Sequence, residues 1–273
     1  MTVRFVGAGP GAADLLTLRA VALLEAADVV LYPGTYLDAE VLGHCRDGAR
    51  LVDTQDLDLD QITAVLVAAH TDDLEVVRLT SGDPSLYSAV HEQGSRLDAA
   101  GVPWEVVPGV PSYAAAAARL GRELTVPLLA QSVVLTRAQA RSTAMPAGEE
   151  LEAFARTGAT LAIHLAVTRV RELAARLVPH YGAACPVAVV FRVSQPGELV
   201  LRGTLADVAD AVEEAGLRQA AVVLVGPALD PAAAGRDAGE SYLYAPSRDR
   251  AAKHAPGPGA PSGAPPGSRP PGM

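Results

Sequence analysis

The residues with most chemical content sit in three short Gly/Pro-bearing segments, each following an apolar run. Gly7-Ala8-Gly9-Pro10-Gly11 follows Val3–Val6, Ser81-Gly82-Asp83-Pro84-Ser85-Leu86-Tyr87 follows Val76–Thr80, and Val107-Pro108-Gly109-Val110-Pro111-Ser112 follows Trp104 and its neighbours. Glycine reaches positive φ and carries no Cβ, so a ligand can come close to the backbone at such bends. Three of them at the C-terminal ends of strands point to one shared crevice, the place where open α/β sheets bind small molecules. Plainer readings stay open: a tight turn needs no ligand, and Asp83 with Pro84 reads as the N-cap and first residue of a helix.

A dinucleotide-binding loop is the competing chemistry. Gly7, Gly9 and Ala12 satisfy the GxGxxG/A spacing, but the acid expected at the end of the second strand is missing, since Asp28 opens that strand instead. Pro10 also removes one N–H from the loop that would hold a pyrophosphate. A nicotinamide oxidoreductase therefore remains only as the distant alternative.

The elements that must position these turns alternate between short apolar runs and helical periodicity, which predicts an α/β fold of two α/β domains with a ligand cleft between them. In residues 1–121, strands are expected at Val3–Val6, Asp28–Leu31, Val76–Thr80 and Trp104–Val107, with helices near Leu16–Ala27, Gln61–Ala69, Leu86–Ala100 and Ser112–Leu120. In residues 122–230, strands are expected at Ser132–Thr136, Thr160–Leu165, Val187–Arg192, Leu199–Gly203 and Ala221–Val225, with helices near Glu149–Arg156, Arg169–Pro179 and Leu205–Ala215. Thr204 and Asp207 read as an N-cap pair. The join falls in Gly121–Gln131, where a proline interrupts the helical period. In residues 231–273, Ala255–Gly272 holds seven Pro and five Gly in 18 positions, which predicts a disordered tail.

Composition narrows the partners. The 273 residues are 49% hydrophobic and 19% charged, so the body can build a core, and aromatics at 4% leave that core to Ala, Val and Leu. The formal charge is −9, and residues 231–273 hold five Lys or Arg against three Asp or Glu, so the body carries −11. That balance speaks against a nucleic-acid partner. No apolar run reaches the roughly 18 residues of a membrane span. The start, Met1-Thr2-Val3-Arg4, runs into a strand pattern, and Cys45 and Cys185 form no CxxC or disulfide framework, so a cytoplasmic setting is expected. His44, His70, His91, His164, His180 and His254 show no metal-ligand spacing, and no metal is expected. His164, taken as mid-strand beside Leu165, is the one to follow.

The motifs together resemble a known family, the S-adenosylmethionine-dependent tetrapyrrole methyltransferases of cobalamin and sirohaem synthesis. The resemblance rests on GAGPGAADLLT at Gly7–Thr17, ADVVLY at Ala27–Tyr32, SGDPSLY at Ser81–Tyr87 and VPGVPS at Val107–Ser112. Within the family, LTRAQAR at Leu135–Arg141 and RQAAVVLVGPALD at Arg218–Asp230 are most similar to the branch that methylates C11 of precorrin-4 or its cobalt form. Methylation of precorrin-3B at C17, or of uroporphyrinogen III, is the alternative within the family. Ala140 replaces the usual glycine of the substrate-side motif, and Pro111 stands where a Thr is usual.

The resemblance implies S-adenosylmethionine as cofactor, held by Pro10, Ser81, Gly82, Asp83, Leu86, Pro111 and Ser112, and from the second domain by Leu165, Val193, Ala220 and Ala221. It also implies a homodimer and a tetrapyrrole substrate with several carboxylates. Such carboxylates would be repelled by the net field and would need local guanidiniums, which bind them bidentately. Arg137 and Arg141, spaced i and i+4 just after a strand, and Arg192 at the end of another, are the candidates, with ordinary surface roles equally open. Tyr87 is placed either to meet the substrate or to pack a helix. Methyl transfer to an electron-rich ring carbon needs alignment and exclusion of water rather than a triad, and no triad is found. A non-catalytic tetrapyrrole carrier would keep the arginines but have no use for the glycine turns.

Overall fold

The computed structural model describes residues 1–34, 37–138, 144–230, 241 and 244–248. Met1–Ala238 form one compact unit that contains two five-stranded sheets. In the first sheet, β1 (Val3–Gly7), β2 (Val29–Tyr32), β3 (Arg50–Asp53), β4 (Val76–Thr80) and β5 (Trp104–Val107) lie in the order β3-β2-β4-β1-β5, all parallel. Phe5, Leu31, Leu66 and Leu97 pack on one side of this sheet, and Val6, Leu24, Val30 and Leu79 on the other. Burial on both faces is why β2, in which Val29, Val30 and Leu31 are all buried, reads as an unbroken apolar run instead of an alternating one.

Helices α1 (Leu18–Ala26), α2 (Ala39–Leu42), α3 (Leu59–Thr71) and α4 (Val90–Ala99) make the crossovers. Thr17 caps α1 by accepting from the Ala20 N–H at 3.0 Å, and Asp58 with Gln61 forms a reciprocal capping box on α3. Because β4, β1 and β5 are adjacent and parallel, their C-terminal ends, and the three Gly/Pro turns that follow them, emerge side by side.

The second sheet is mixed. Strands β6 (Val133–Arg137), β7 (Thr160–His164), β8 (Pro186–Phe191), β9 (Leu199–Thr204) and β10 (Ala221–Val225) take the order β6-β7-β10-β8-β9, with only β6 and β7 parallel. Leu161, Ile163 and Val189 pack under α6 (Leu151–Ala155), α7 (Val170–Tyr181) and α8 (Val208–Glu214). The other face is covered by α5 (Ser112–Leu120), whose Ala115, Ala116 and Leu120 meet Ala162, Ala188, Val190 and Leu224. Alanine lets the helix approach the sheet closely, so the helix that continues the third turn is covered by the second sheet.

Several local expectations need correction. No helix starts at Leu86: the chain bends through Tyr87 and Ala89, both left-handed at φ +54°, and α4 begins at Val90. Asp83 is accordingly no helix cap, because its carboxylate accepts from the Ser85 and Gly109 N–H groups instead. His164 ends β7 and is not mid-strand. Thr204 does not cap α8; the Asp207 Oδ1 accepts from the Thr204 N–H at 2.6 Å, which closes a turn before the helix starts at Val208. The short edge strand β3 and helix α2 were not anticipated. The stretch Ala255–Gly272 lies outside the described residues.

Candidate functional site

Four glycines bring the turns of the first sheet into backbone contact. Gly9 and Gly82 exchange hydrogen bonds at 3.1 and 2.8 Å. A Cβ on Gly7 would lie 2.6 Å from Gly109 Cα and 2.7 Å from the Gly82 carbonyl oxygen, and one on Gly109 would lie 2.3 Å from that same oxygen. No other residue type fits at these crossing points. Asp83 locks the arrangement: one oxygen accepts from Gly109 N–H at 2.8 Å and the other from the Ser85 N–H at 2.9 Å and from its hydroxyl. Burial works to raise the Asp83 carboxyl, but the bonds from Ser85 and Gly109 outweigh it and hold it below the ordinary carboxylate value.

The facing wall is the edge of the second sheet where β7 and β8 end and β10 begins. The residue beyond each strand end there is left-handed without being glycine: Leu165 at φ +53°, Arg192 at φ +46° and Ala220 at φ +52°. The Arg192 N–H donates to Ala220 O at 2.8 Å across this edge. Each such conformation costs on the order of 1–3 kcal/mol, and clusters of them mark functional sites. Leu165 is also 63% exposed, so folding alone gives its side chain no reason to be apolar.

A loop after β8 ties the two walls together. The Gln195 amide donates to Pro10 O at 2.8 Å, and Ser194 Oγ accepts from the Ala12 N–H at 3.1 Å. Glu198 anchors that loop, accepting from the Ser194 N–H at 2.8 Å and pairing with Arg119 of α5. A Cβ on Gly11 would strike Gln195 Cγ at 2.0 Å, so the first turn must be bare to receive the loop.

Between the walls lies a cavity of about 400 Å³. Pro10, Ser81, Gly82, Asp83, Leu86, Pro111 and Ser112 line it from the first sheet's turns and α5, and Leu165, Val193, Ala220 and Ala221 from the second sheet. All the positions expected to face a cofactor are thus brought together. Of those expected to face a substrate, Tyr87 and Arg192 line the cavity. Arg137 does not; it ends β6 and pairs in register with His164. Arg141 and Ala140 lie outside the described residues.

His164 lines the cavity with its ring 5.3 Å from that of Tyr87, tilted by 48°. Burial pushes the His164 imidazole below its ordinary pKa, which favours the neutral ring, and raises the Tyr87 phenol against the opposing field of Arg137. Sequence reasoning missed Gln195, Thr168, Arg218 and Gln219, which also line the cavity. For Gln195 a signal existed, since Ser194-Gln195-Pro196-Gly197 is a further Gly/Pro turn at a strand end.

Among the described residues, the lining holds one carboxylate, Asp83, with both oxygens already engaged, and two guanidiniums, Arg192 and Arg218. The rest is backbone, small side chains and apolar groups. Such a cavity suits a small molecule with a polar periphery, and its described residues supply no free anion to fix a cation. Among the described residues, no group of three or more His, Cys, Asp or Glu could hold a metal ion, and no helix is long and apolar enough to cross a membrane.

Residues 2–209 match the family described as Tetrapyrrole (Corrin/Porphyrin) Methylases. The chain belongs to this family. It is 52% identical to the precorrin-4 C(11)-methyltransferase of Rhodococcus erythropolis over 250 residues, covering 92% of this chain and 99% of that one. Among solved structures it is similar to a cobalt precorrin-4 methyltransferase, CbiF, with TM-score 0.81 and 36% identity over 84% of this chain and 96% of that one. A uroporphyrin-III C-methyltransferase of Thermus thermophilus, complexed with S-adenosylhomocysteine, superposes with TM-score 0.71 and 32% identity over 84% of this chain and 99% of that one.

Proposed function

We propose that this protein transfers the methyl group of S-adenosylmethionine to C11 of precorrin-4. The observation that carries the reading is the convergence of the three Gly/Pro turns and the left-handed edge of the second sheet on one cavity. The match to a C11-methyltransferase along nearly its whole length supports the choice of ring position. Higher identity to that relative than to the cobalt enzyme favours the metal-free macrocycle. The same reading takes residues 1–121 and 122–230 as two α/β domains with the cleft between them.

When bound, S-adenosylmethionine would supply an electrophilic methyl on a sulfonium, whose sulfur would take the C–S bonding pair as the bond to the ring carbon forms. The chain's own part is to bind, align and keep water out, worth roughly 7–11 kcal/mol of barrier as effective concentration. Gly82, Pro10 and Ser112 offer backbone at close range, while Leu165, Val193 and Ala221 exclude water. Both oxygens of Asp83 already accept from the Gly109 and Ser85 N–H groups, so it is not offered to the sulfonium as a tight counter-ion that would stabilise the ground state over the transition state. Arg192 and Arg218 supply guanidinium donors for the acetate and propionate carboxylates of a substrate that a body of −11 would repel.

The test is incubation with methyl-labelled S-adenosylmethionine and precorrin-4. One label on C11 is expected; label on another ring carbon, or none, overturns the assignment.

A further inference from the structure

Beneath the turn that carries Leu86 and Tyr87 lies a buried arginine without a carboxylate partner among its hydrogen bonds. Arg78, in β4, is 7% exposed; its Nε donates to Gln93 Oε1 at 3.2 Å and its Nη1 to Leu79 O at 3.1 Å. Burial lowers its pKa to about 10, so it stays charged at neutral pH. Burying a cation among neutral acceptors is unfavourable for folding, which calls for another role.

The orientation of Gln93 supplies one. With Oε1 turned to Arg78, the amide nitrogen must face the other way, and it donates to Ala89 O at 3.0 Å and Ser88 O at 3.3 Å. Ser88 and Ala89 directly follow Tyr87, and both Tyr87 and Ala89 are held left-handed. Ala89 precedes α4 with no side-chain cap, so the strained corner is held by Gln93, 1% exposed in the first turns of that helix, together with the Ser88 hydroxyl, which donates to Pro84 O.

We propose that Arg78 and Gln93 are positioning residues: the arginine fixes the Gln93 amide, and the amide holds the Pro84–Ala89 turn so that Leu86 closes on the cofactor. This rests on the reading of the cavity as a methyl-donor site.

Gln93→Glu separates positioning from packing. The carboxylate would pair with Arg78 and conserve volume, but has no donor for the Ser88 and Ala89 carbonyls. S-adenosylhomocysteine affinity, measured by titration calorimetry on the full chain, should fall on the order of tenfold, while the thermal midpoint without ligand is kept or raised. Should that variant fail to fold, Arg78→Met removes the buried charge, leaves the helix intact, and carries the same expected loss of affinity. Unchanged affinity in a folded variant overturns the proposal, as does failure of both variants to fold, which would make the pair a core element. A parent chain that binds no S-adenosylhomocysteine would overturn the reading of the cavity, and this inference with it.

Discussion

Gly109→Ala tests the convergence of the turns without touching a residue that lines the cavity. The added Cβ would lie 2.3 Å from the Gly82 carbonyl oxygen and 2.8 Å from Gly7 Cα, both backbone atoms that cannot rotate away. Relief requires the third turn to move by about 1 Å, at an overpacking cost of roughly 1–3 kcal/mol. The 2.8 Å bond from the Gly109 N–H to Asp83 would stretch with it, losing about 1.5–3 kcal/mol as a charged hydrogen bond. A total of roughly 2.5–6 kcal/mol lowers the thermal midpoint by roughly 5–24 °C for a unit of this size. A shift of that size in the groups around the cofactor is worth about a hundredfold in methyl-transfer rate. Gly101→Ala is the control: Gly101 has φ +69° and nothing within 4 Å of its added Cβ, so only the roughly 1–2 kcal/mol of a left-handed alanine is lost. Calorimetric titration with S-adenosylhomocysteine should show weak binding by Gly109→Ala and parental binding by Gly101→Ala. Parental affinity in Gly109→Ala would refute the reasoning, because the three turns would then not act as one cradle.

Other expectations follow from the same geometry. Leu165→Gly removes left-handed strain of about 1 kcal/mol and adds a similar glycine entropy, so the thermal midpoint should stay within a few degrees while S-adenosylhomocysteine affinity falls several-fold; a large drop in midpoint would show Leu165 to be structural. Glu152 is held at about 2 by Arg176, below its ordinary 4.5, so its stabilisation is present above pH 4.5 and is lost as the pH falls toward 2. Urea midpoints of the parent and Glu152→Gln should therefore differ at pH 7 and converge on acidification, and a constant gap contradicts this. The His164 ring is held below its ordinary 6.5, so folding favours its neutral form and stability declines as the pH falls through that value. An NMR titration midpoint at or above 6.5 would refute that.

How much of the site could be read from the sequence follows from which contacts are local. The Gly/Pro turns were legible because glycine and proline report backbone conformation directly, and because adjacent parallel strands deliver consecutive turns to one edge. The left-handed Leu165, Arg192 and Ala220 were not, since nothing in Leu, Arg or Ala signals positive φ; tertiary packing imposes it. Asp83 and Pro84 carry sound capping chemistry, yet the carboxylate is taken by Gly109, 26 positions away, and the helix waits until Val90. Gln195 and Ser194 were missed for the same reason: their partners Pro10 and Ala12 lie 185 and 182 positions distant. The cationic side of the cavity was half seen, with Arg192 found and Arg218 overlooked because it precedes a strand rather than following one.

A crystal structure with S-adenosylhomocysteine bound tests the central claim most directly. The ligand is expected between the Ser81–Leu86 turn and the Leu165–Ala220 edge, in contact with Pro10, Gly82 and Ser112. Density for it in any other hollow, with those three residues untouched, would contradict the account.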